Sequence, residues 1–264
     1  MKICILNQEK FHLETIDFYK KNFEIVDENE ADIIVINNFK PIETGKVVAC
    51  NSTGIEHIKS PEIISLQDED LSDFTAVAEL CLGMAIYTMR FFKKEEIKGK
   101  TLGIFGFGRI GKQLLRLIRP FGVYVFGYDK RANPKKGIDI TELTIKSGEI
   151  IDMSTKMEDV LCQDIVSLHI SATEENRNFI DKEKFAMMKD GAIFLNSARP
   201  WLVEEEGLKW ALDNKLAGAW IDFQIPLIHP KLIKTTHLGG TTKESTKRSE
   251  MLIAQKLKKL YGDK

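Results

Sequence analysis

The sequence is poor in cysteine, and the four present (Cys4, Cys50, Cys81 and Cys162) lie far apart with no CxxC pair. That spacing argues against a zinc site and a disulfide framework, and it suits a reducing, cytoplasmic setting. No charge of one sign dominates. Basic residues number 38 and acidic residues 39, so the whole chain lacks the basic footprint of a nucleic-acid or membrane-surface binder. No apolar run is long and uncharged enough to span a membrane. The longest, residues 76–92, is interrupted by Glu79 and Arg90 and predicts a buried amphipathic helix. The apolar stretch at residues 1–7 is too short for a signal peptide and predicts a first β-strand. Internal repeats and low-complexity tracts are lacking too. What remains is an ordinary globular composition, 43% hydrophobic and 29% charged, in 264 residues. That is enough for a sizeable core in one large domain or two lobes.

Short, β-branched, almost wholly apolar segments recur at residues 33–36, 46–50, 101–105, 123–126, 165–168, 192–195 and 217–221. Runs that are apolar on both faces suit central strands of a parallel sheet. Helical periods lie between them, at 108–121, 158–161, 181–188, 204–214 and 243–260. The alternation predicts an α/β, doubly wound architecture. The polar stretch 92–100 reads as a hinge between an N-terminal lobe and a larger central one, and the last helix as a return to the first lobe. Glu204, Glu205 and Glu206 open a helix, where negative charge complements the dipole. The aromatic and methionine content of residues 84–92 reads as core.

The strongest local signal follows the strand 101–105. Gly106-Phe107-Gly108-Arg109-Ile110-Gly111 leads into a helix, and the next strand ends at Asp129. Gly106 permits the turn, Gly108 lets the backbone approach a pyrophosphate, and Gly111 lets helix and strand pack closely. Phosphates would sit at the helix N-terminus, where unpaired N–H groups and the dipole favour negative charge. Asp129 stands about where the ribose-binding acid of this fingerprint falls, roughly 20 residues on. An acid there favours NAD over NADP. Lys130 and Arg131 follow at once and soften that preference, leaving NADP open.

These residues belong to a longer ordered pattern. Residues 99–111 resemble the cofactor loop of the D-isomer-specific 2-hydroxyacid dehydrogenases, a family that includes phosphoglycerate, glycerate and D-lactate dehydrogenases. Asn51-Ser52-Thr53-Gly54-Ile55-Glu56-His57-Ile58 is similar to the family's substrate loop, and Thr75–Glu79 to the start of its interdomain helix. Ser167-Leu168-His169 resembles a second cofactor-contacting segment, and Leu195-Asn196-Ser197-Ala198-Arg199 the loop of the catalytic arginine. The segment ending in Asp222 resembles the strand whose aspartate meets the nicotinamide amide, and Thr236-His237-Leu238-Gly239-Gly240 the loop of the catalytic histidine.

The resemblance implies a Rossmann-type sheet domain, residues 91–240, plus a smaller flavodoxin-like α/β substrate lobe from residues 1–90 and 241–264. It implies an NAD-dependent oxidoreductase acting on a small 2-hydroxy or 2-keto acid. Arg199 and His237 would be catalytic: the arginine's planar fork anchors the carboxylate, and the histidine serves as acid/base. Gly106, Gly108, Arg109, Ile110, Gly111, Asp129, His169, Ser197, Ala198, Asp222, Gly239 and Gly240 would bind the cofactor. Backbone N–H groups of Ser52, Thr53 and Gly54 would hold the substrate. No metal is implied. Of the remaining histidines, His12 reads as a surface residue, His57 and His229 as loop supports. His169 either caps its loop or lines the pocket. Trp201 either lines a substrate pocket or packs.

The sequence also departs from the family. A glutamate normally precedes the proline beyond the strand-end aspartate and pairs with the histidine. Here Ile225 precedes Pro226 in a shortened segment, so Gln224 or a carboxylate from elsewhere would have to take the place. A histidine without that partner keeps an ordinary imidazole pKa of about 6.5, which predicts slow turnover or reduction that quickens toward acid pH. Pro200 replaces the glycine after the arginine, and Ser171 a proline of the cofactor pocket. The link from Arg90 to Gly99 is shorter than the family's dimer arm, so a homodimer and a monomer both stand open. The alternative function is an NAD(H)-binding sensor with weakened catalysis.

Overall fold

A computed structural model describes residues 1–37, 40–131, 152–153 and 156–262. They form two compact units, Met1–Leu71 with Thr241–Lys264, and Ser72–Gly240.

In the first unit the strands are β1 (Lys2–Ile5), β2 (Glu24–Ile25), β3 (Ile33–Ile36), β4 (Ile42–Glu43), β5 (Val47–Cys50), β6 (Ile58–Lys59) and β7 (Ile63–Ile64). Five make a parallel sheet in the order β2-β1-β3-β5-β7, and β4 pairs with β6 apart from it. All four residues of β3 are buried, as the unbroken Ile-Ile-Val-Ile run requires of a central strand. Ile34, Ile36, Val48, Cys50 and Ile58 form one face of the core.

The C-terminal helix Lys243–Tyr261 starts on Thr242, whose hydroxyl accepts from the Ser245 N–H at 3.1 Å. It carries a fully buried carboxylate, Glu250. Burial of that charge is compensated by the His12 N–H (2.9 Å), His12 Nδ1 (3.0 Å) and Asn37 Nδ2 (2.5 Å). Asn51 Nδ2 continues the network, donating to Asn37 Oδ1 at 2.9 Å and Ser249 Oγ at 3.2 Å. His12 is therefore not the surface residue the sequence suggests: it is half-buried and tied to a carboxylate more than two hundred positions away.

The second unit is doubly wound. Its strands are β8 (Thr101–Phe105), β9 (Tyr124–Tyr128), β10 (Asp152–Met153), β11 (Ile165–Leu168), β12 (Ile193–Asn196), β13 (Gly218–Ile221) and β14 (Leu232–Lys234). All run parallel in the order β10-β9-β8-β11-β12-β13-β14. The two-residue period of each strand sends alternate side chains to two cores. Leu102, Ile104, Ile165, Ile193, Leu195 and Trp220 meet the helices Ala76–Thr88 and Arg109–Ile118 on one face. Phe105, Val166, Leu168, Phe194 and Ala219 meet Met157–Leu161, Lys182–Met187 and Glu205–Asn214 on the other.

The division between units falls after Leu71, whereas the sequence reading puts it after Arg90. The helix Ala76–Thr88 explains the difference. Its small buried residues Ala78, Cys81 and Ala85, with Met89 beyond its end, belong to the second unit's core. The stretch 92–100 is likewise packed within that unit. Lys93 Nζ donates to the Gly191 carbonyl at 2.9 Å, and the Gly99 N–H to the Gly122 carbonyl at 2.8 Å. Residues 132–151, which the expected 91–240 domain includes, lie outside the described residues.

Candidate functional site

In an open parallel sheet, ligands gather beyond the carboxyl ends of the strands, where the order reverses. Here the reversal lies between β8 and β11. The candidate groups of the second unit all follow strand ends: Gly106 after β8, Asp129 after β9, His169 after β11, Ser197 to Arg199 after β12, Asp222 after β13 and His237 after β14.

The glycine loop has the geometry its sequence implies. Gly106 adopts φ +93° and donates its N–H to the Tyr128 carbonyl at 2.8 Å. A Cβ there would lie 2.6 Å from the His169 carbonyl oxygen, and one at Gly111 would lie 2.2 Å from that of Gly106. Gly108 is the N-cap of Arg109–Ile118, and no side chain caps that helix. A Cβ at Gly108 would meet nothing within 4 Å. An uncapped helix start facing open space fits a dinucleotide pyrophosphate. Arg109 and Ile110 begin this helix, and burial pushes the Arg109 guanidinium below its ordinary pKa.

Asp129 is almost fully buried, and both its oxygens are engaged. Oδ1 accepts from the Arg131 N–H (3.0 Å) and Nε (2.9 Å). Oδ2 accepts from the Phe107 N–H (2.9 Å) and Arg131 Nη2 (2.6 Å). Burial alone would push this carboxyl up; the donors outweigh it and hold its pKa below the ordinary value. Lys130 takes no part and pairs with Glu175 at 2.9 Å.

His169 is held by two hydroxyls, Ser167 Oγ on Nε2 at 2.8 Å and Ser197 Oγ on Nδ1 at 3.5 Å. Cys81 Sγ donates to Ser197 Oγ at 3.2 Å. Burial pushes the His169 imidazole down to about 4, so it is neutral at physiological pH. Burial likewise pushes the Cys81 thiol up to about 12, which leaves it an unreactive donor.

The arginine loop is shaped by Asn196, which the sequence places in the motif but gives no role. Its Oδ1 accepts from the Ala198 N–H and its Nδ2 donates to the Arg199 carbonyl, both at 2.9 Å. Arg199 has extended backbone and donates from Nη1 to the Ala198 carbonyl at 2.8 Å. Pro200 opens a 3-10 turn, Pro200–Leu202, at a position where a missing N–H costs nothing.

Asp222 clamps the histidine loop from both sides. Its Oδ1 accepts from Thr235 Oγ1 at 2.6 Å and the Leu238 N–H at 2.8 Å, and its Oδ2 from the Gly239 N–H at 2.8 Å. Thr235 Oγ1 in turn accepts from Trp220 Nε1 at 3.1 Å. Between these anchors His237 is forced to φ +62°, a left-handed backbone that histidine tolerates at a cost. Its ring lies 6.1 Å from that of Phe223. A Cβ at Gly239 would approach Asp222 Oδ2 to 3.2 Å, while one at Gly240 would meet nothing.

Two substitutions in the shortened segment have visible consequences. Gln224 donates its amide to the Thr235 carbonyl at 3.2 Å. Ile225 lines a cavity of about 230 Å³ with Asn196, Trp201, Glu205, Leu208 and Phe223. His229 supports its loop, with Nε2 on Asp213 and Nδ1 accepting the Lys231 N–H, both at 3.1 Å.

In the first unit, the loop after β5 spends two expected donors locally: the Ser52 N–H on the Cys50 sulfur, and the Gly54 N–H on Ser52 Oγ at 3.0 Å. Thr53 is exposed, and its carbonyl accepts from Gln67 Nε2 at 3.1 Å. Among the described residues no group of three or more His, Cys, Asp or Glu could hold a metal ion, and no helix is long and apolar enough to cross a membrane.

The profile of the D-isomer specific 2-hydroxyacid dehydrogenase NAD binding domain matches residues 83–239. A D-3-phosphoglycerate dehydrogenase of Methanocaldococcus jannaschii is 28% identical over 88% of this chain, which spans half of that protein's length. A hydroxypyruvate reductase of Thermotoga maritima is 28% identical over 88% of this chain and 86% of its own. Among solved structures, NAD+-bound 3-phosphoglycerate dehydrogenase of Entamoeba histolytica shares the fold, with a TM-score of 0.78 at 20% identity over 100% of this chain and 96% of that one.

Proposed function

We propose a function from one premise: the chain belongs to the D-isomer-specific 2-hydroxyacid dehydrogenase family. On that premise it is an oxidoreductase that moves a hydride between NAD(H) and a small 2-hydroxy or 2-keto acid. The observation that carries this is the row of groups at the strand ends of one sheet, from the open glycine loop to the clamped His237. NAD, when bound, supplies the hydride donor or acceptor. The chain's own residues do the rest. Helix Arg109–Ile118 presents free N–H groups to phosphate. Arg199, on a loop fixed by Asn196, offers a permanent charge and a planar fork to a carboxylate. His237, on a loop fixed by Asp222, holds or takes the proton of the substrate oxygen. In the first unit the Ser52 N–H is engaged by Cys50 and the Gly54 N–H by Ser52 Oγ, so among the expected substrate-loop donors the role falls first to Thr53. A cytoplasmic setting and a homodimer built without the long arm belong to the same proposal; sedimentation decides between dimer and monomer.

The test is NADH oxidation by the purified protein against a panel of 2-keto acids, at about pH 6 and pH 8, across the range in which histidines as a class change charge. Turnover that Arg199→Ala abolishes is the expected result, faster at the lower pH. NADH binding without turnover on any acid would favour the second reading, a cofactor-bound sensor, for which Ile225 in place of the glutamate speaks.

A further inference from the structure

We infer that Arg131 is a dinucleotide-selecting residue, which competes with the ribose diol of NAD for Asp129 and gives the protein a place for the 2′-phosphate of NADP. The inference rests on the cofactor reading above.

An ionised carboxylate offers about four lone-pair positions. Those of Asp129 are all taken: two by the N–H groups of Phe107 and Arg131, two by Nε and Nη2 of the Arg131 side chain. As the protein stands, the acid expected to accept the ribose hydroxyls has no acceptor left for them. The two backbone donors are fixed by the loop. Among the described residues the guanidinium is held only by this pairing: its side chain is 56% exposed, against 5% for its partner. Displacing it frees two positions, the number that a 2′,3′-diol needs. Binding of NADH therefore carries the cost of separating a bidentate ion pair.

A 2′-phosphate meets the opposite situation. With one hydroxyl replaced by a dianionic group, bare Asp129 would repel it. With Arg131 in place the carboxylate is already neutralised, and donors of the guanidinium not directed at Asp129 stand at the same spot for a phosphate oxygen. Lys130 does not serve this purpose, because it is paired with Glu175. The same pair thus penalises NADH and shelters NADPH, bringing their affinities together.

The experiment is a fluorescence titration of the full chain with NADH and NADPH, for the wild type and Arg131→Ala. In the wild type the two dissociation constants are expected to lie within about tenfold of each other, and NADPH binding to weaken more steeply with salt. In Arg131→Ala, NADH should bind several-fold tighter and NADPH about tenfold weaker or worse. A wild type that prefers NADH by about a thousandfold, or a variant in which the NADH-to-NADPH ratio does not move, overturns the inference and leaves the cofactor reading standing. A wild type that binds neither dinucleotide removes both. Should the variant fail to fold, the difference in salt dependence decides on the wild type alone: equal slopes for the two dinucleotides overturn the inference.

Discussion

Asp129 and Asp222 invite comparison because they are so alike on paper. Each ends a parallel strand of one sheet, each is nearly excluded from water, and each is loaded with donors. Their donors differ in kind. Asp222 accepts from the Leu238 and Gly239 backbone and from a threonine that is itself held by Trp220. None of these can leave without unmaking the histidine loop. Half the donors of Asp129 belong to one exposed arginine side chain, which can swing away while the fold stays intact. Equal saturation therefore means different things: Asp222 is spent on architecture, and Asp129 is held in reserve.

The sharpest way to break that comparison is Asp222→Ala. Two backbone N–H groups and a hydroxyl lose a charged acceptor, so we expect a loss of roughly 3 kcal/mol in urea unfolding, with activity gone. A variant as stable as the wild type would show that the His237 loop does not depend on its clamp. A third strand-end group, His169, extends the contrast to a side chain kept uncharged. Its folded pKa of about 4 lies below the ordinary 6.5, so it contributes nothing above pH 6.5. Between pH 6.5 and 4 the unfolded chain binds a proton that the folded chain refuses. Stability should then fall as the pH drops, by roughly 3 kcal/mol in total. His169→Gln should remove that part of the slope; equal slopes in variant and wild type would sink the idea. The smallest effect on the fold is expected for Asp129→Ala, roughly 1–2 kcal/mol, since the buried Phe107 N–H loses its acceptor while the freed guanidinium returns to water. Its mark should be on NADH affinity, weakened about tenfold or more in titration. If Asp129→Ala unfolded the protein and Asp222→Ala did not, the assignment of roles would be inverted.

Much of the second unit could be read directly from the chain. Strands β8, β11, β12 and β13 are apolar on both faces because both faces are covered, so their runs stand out. The glycine loop is equally legible, since each glycine answers a local steric demand. The first unit was harder to read. Helix Leu13–Asn22 escapes notice because Leu13 is 80% exposed while Thr15 is buried, which blurs the helical period. Strands of two residues, such as β2 and β6, carry no run at all. The family pattern names Asp129, Asp222, Arg199 and His237 but not what holds them. The roles of Thr235 and Cys81 depend on contacts between separate segments. Asn196 acts within its own loop, but a buried Asn at a strand end looks ordinary in sequence. The Arg131 pairing is local, yet two basic residues follow the acid, and only the fold tells which one turns back.

The helix Ala76–Thr88 sets where this protein can be divided. A fragment beginning at residue 91 would include the glycine loop and every strand of the second sheet, and would still leave out Ala78, Cys81, Ala85 and Met89 from the middle of the core. The faces of Ile104, Leu195 and Trp220 that those residues cover would then be open to solvent, as an aggregation-prone patch. The second unit starts at Ser72, so the segment that looks like a connector in the chain is part of what a designer of chimaeras or truncations must keep.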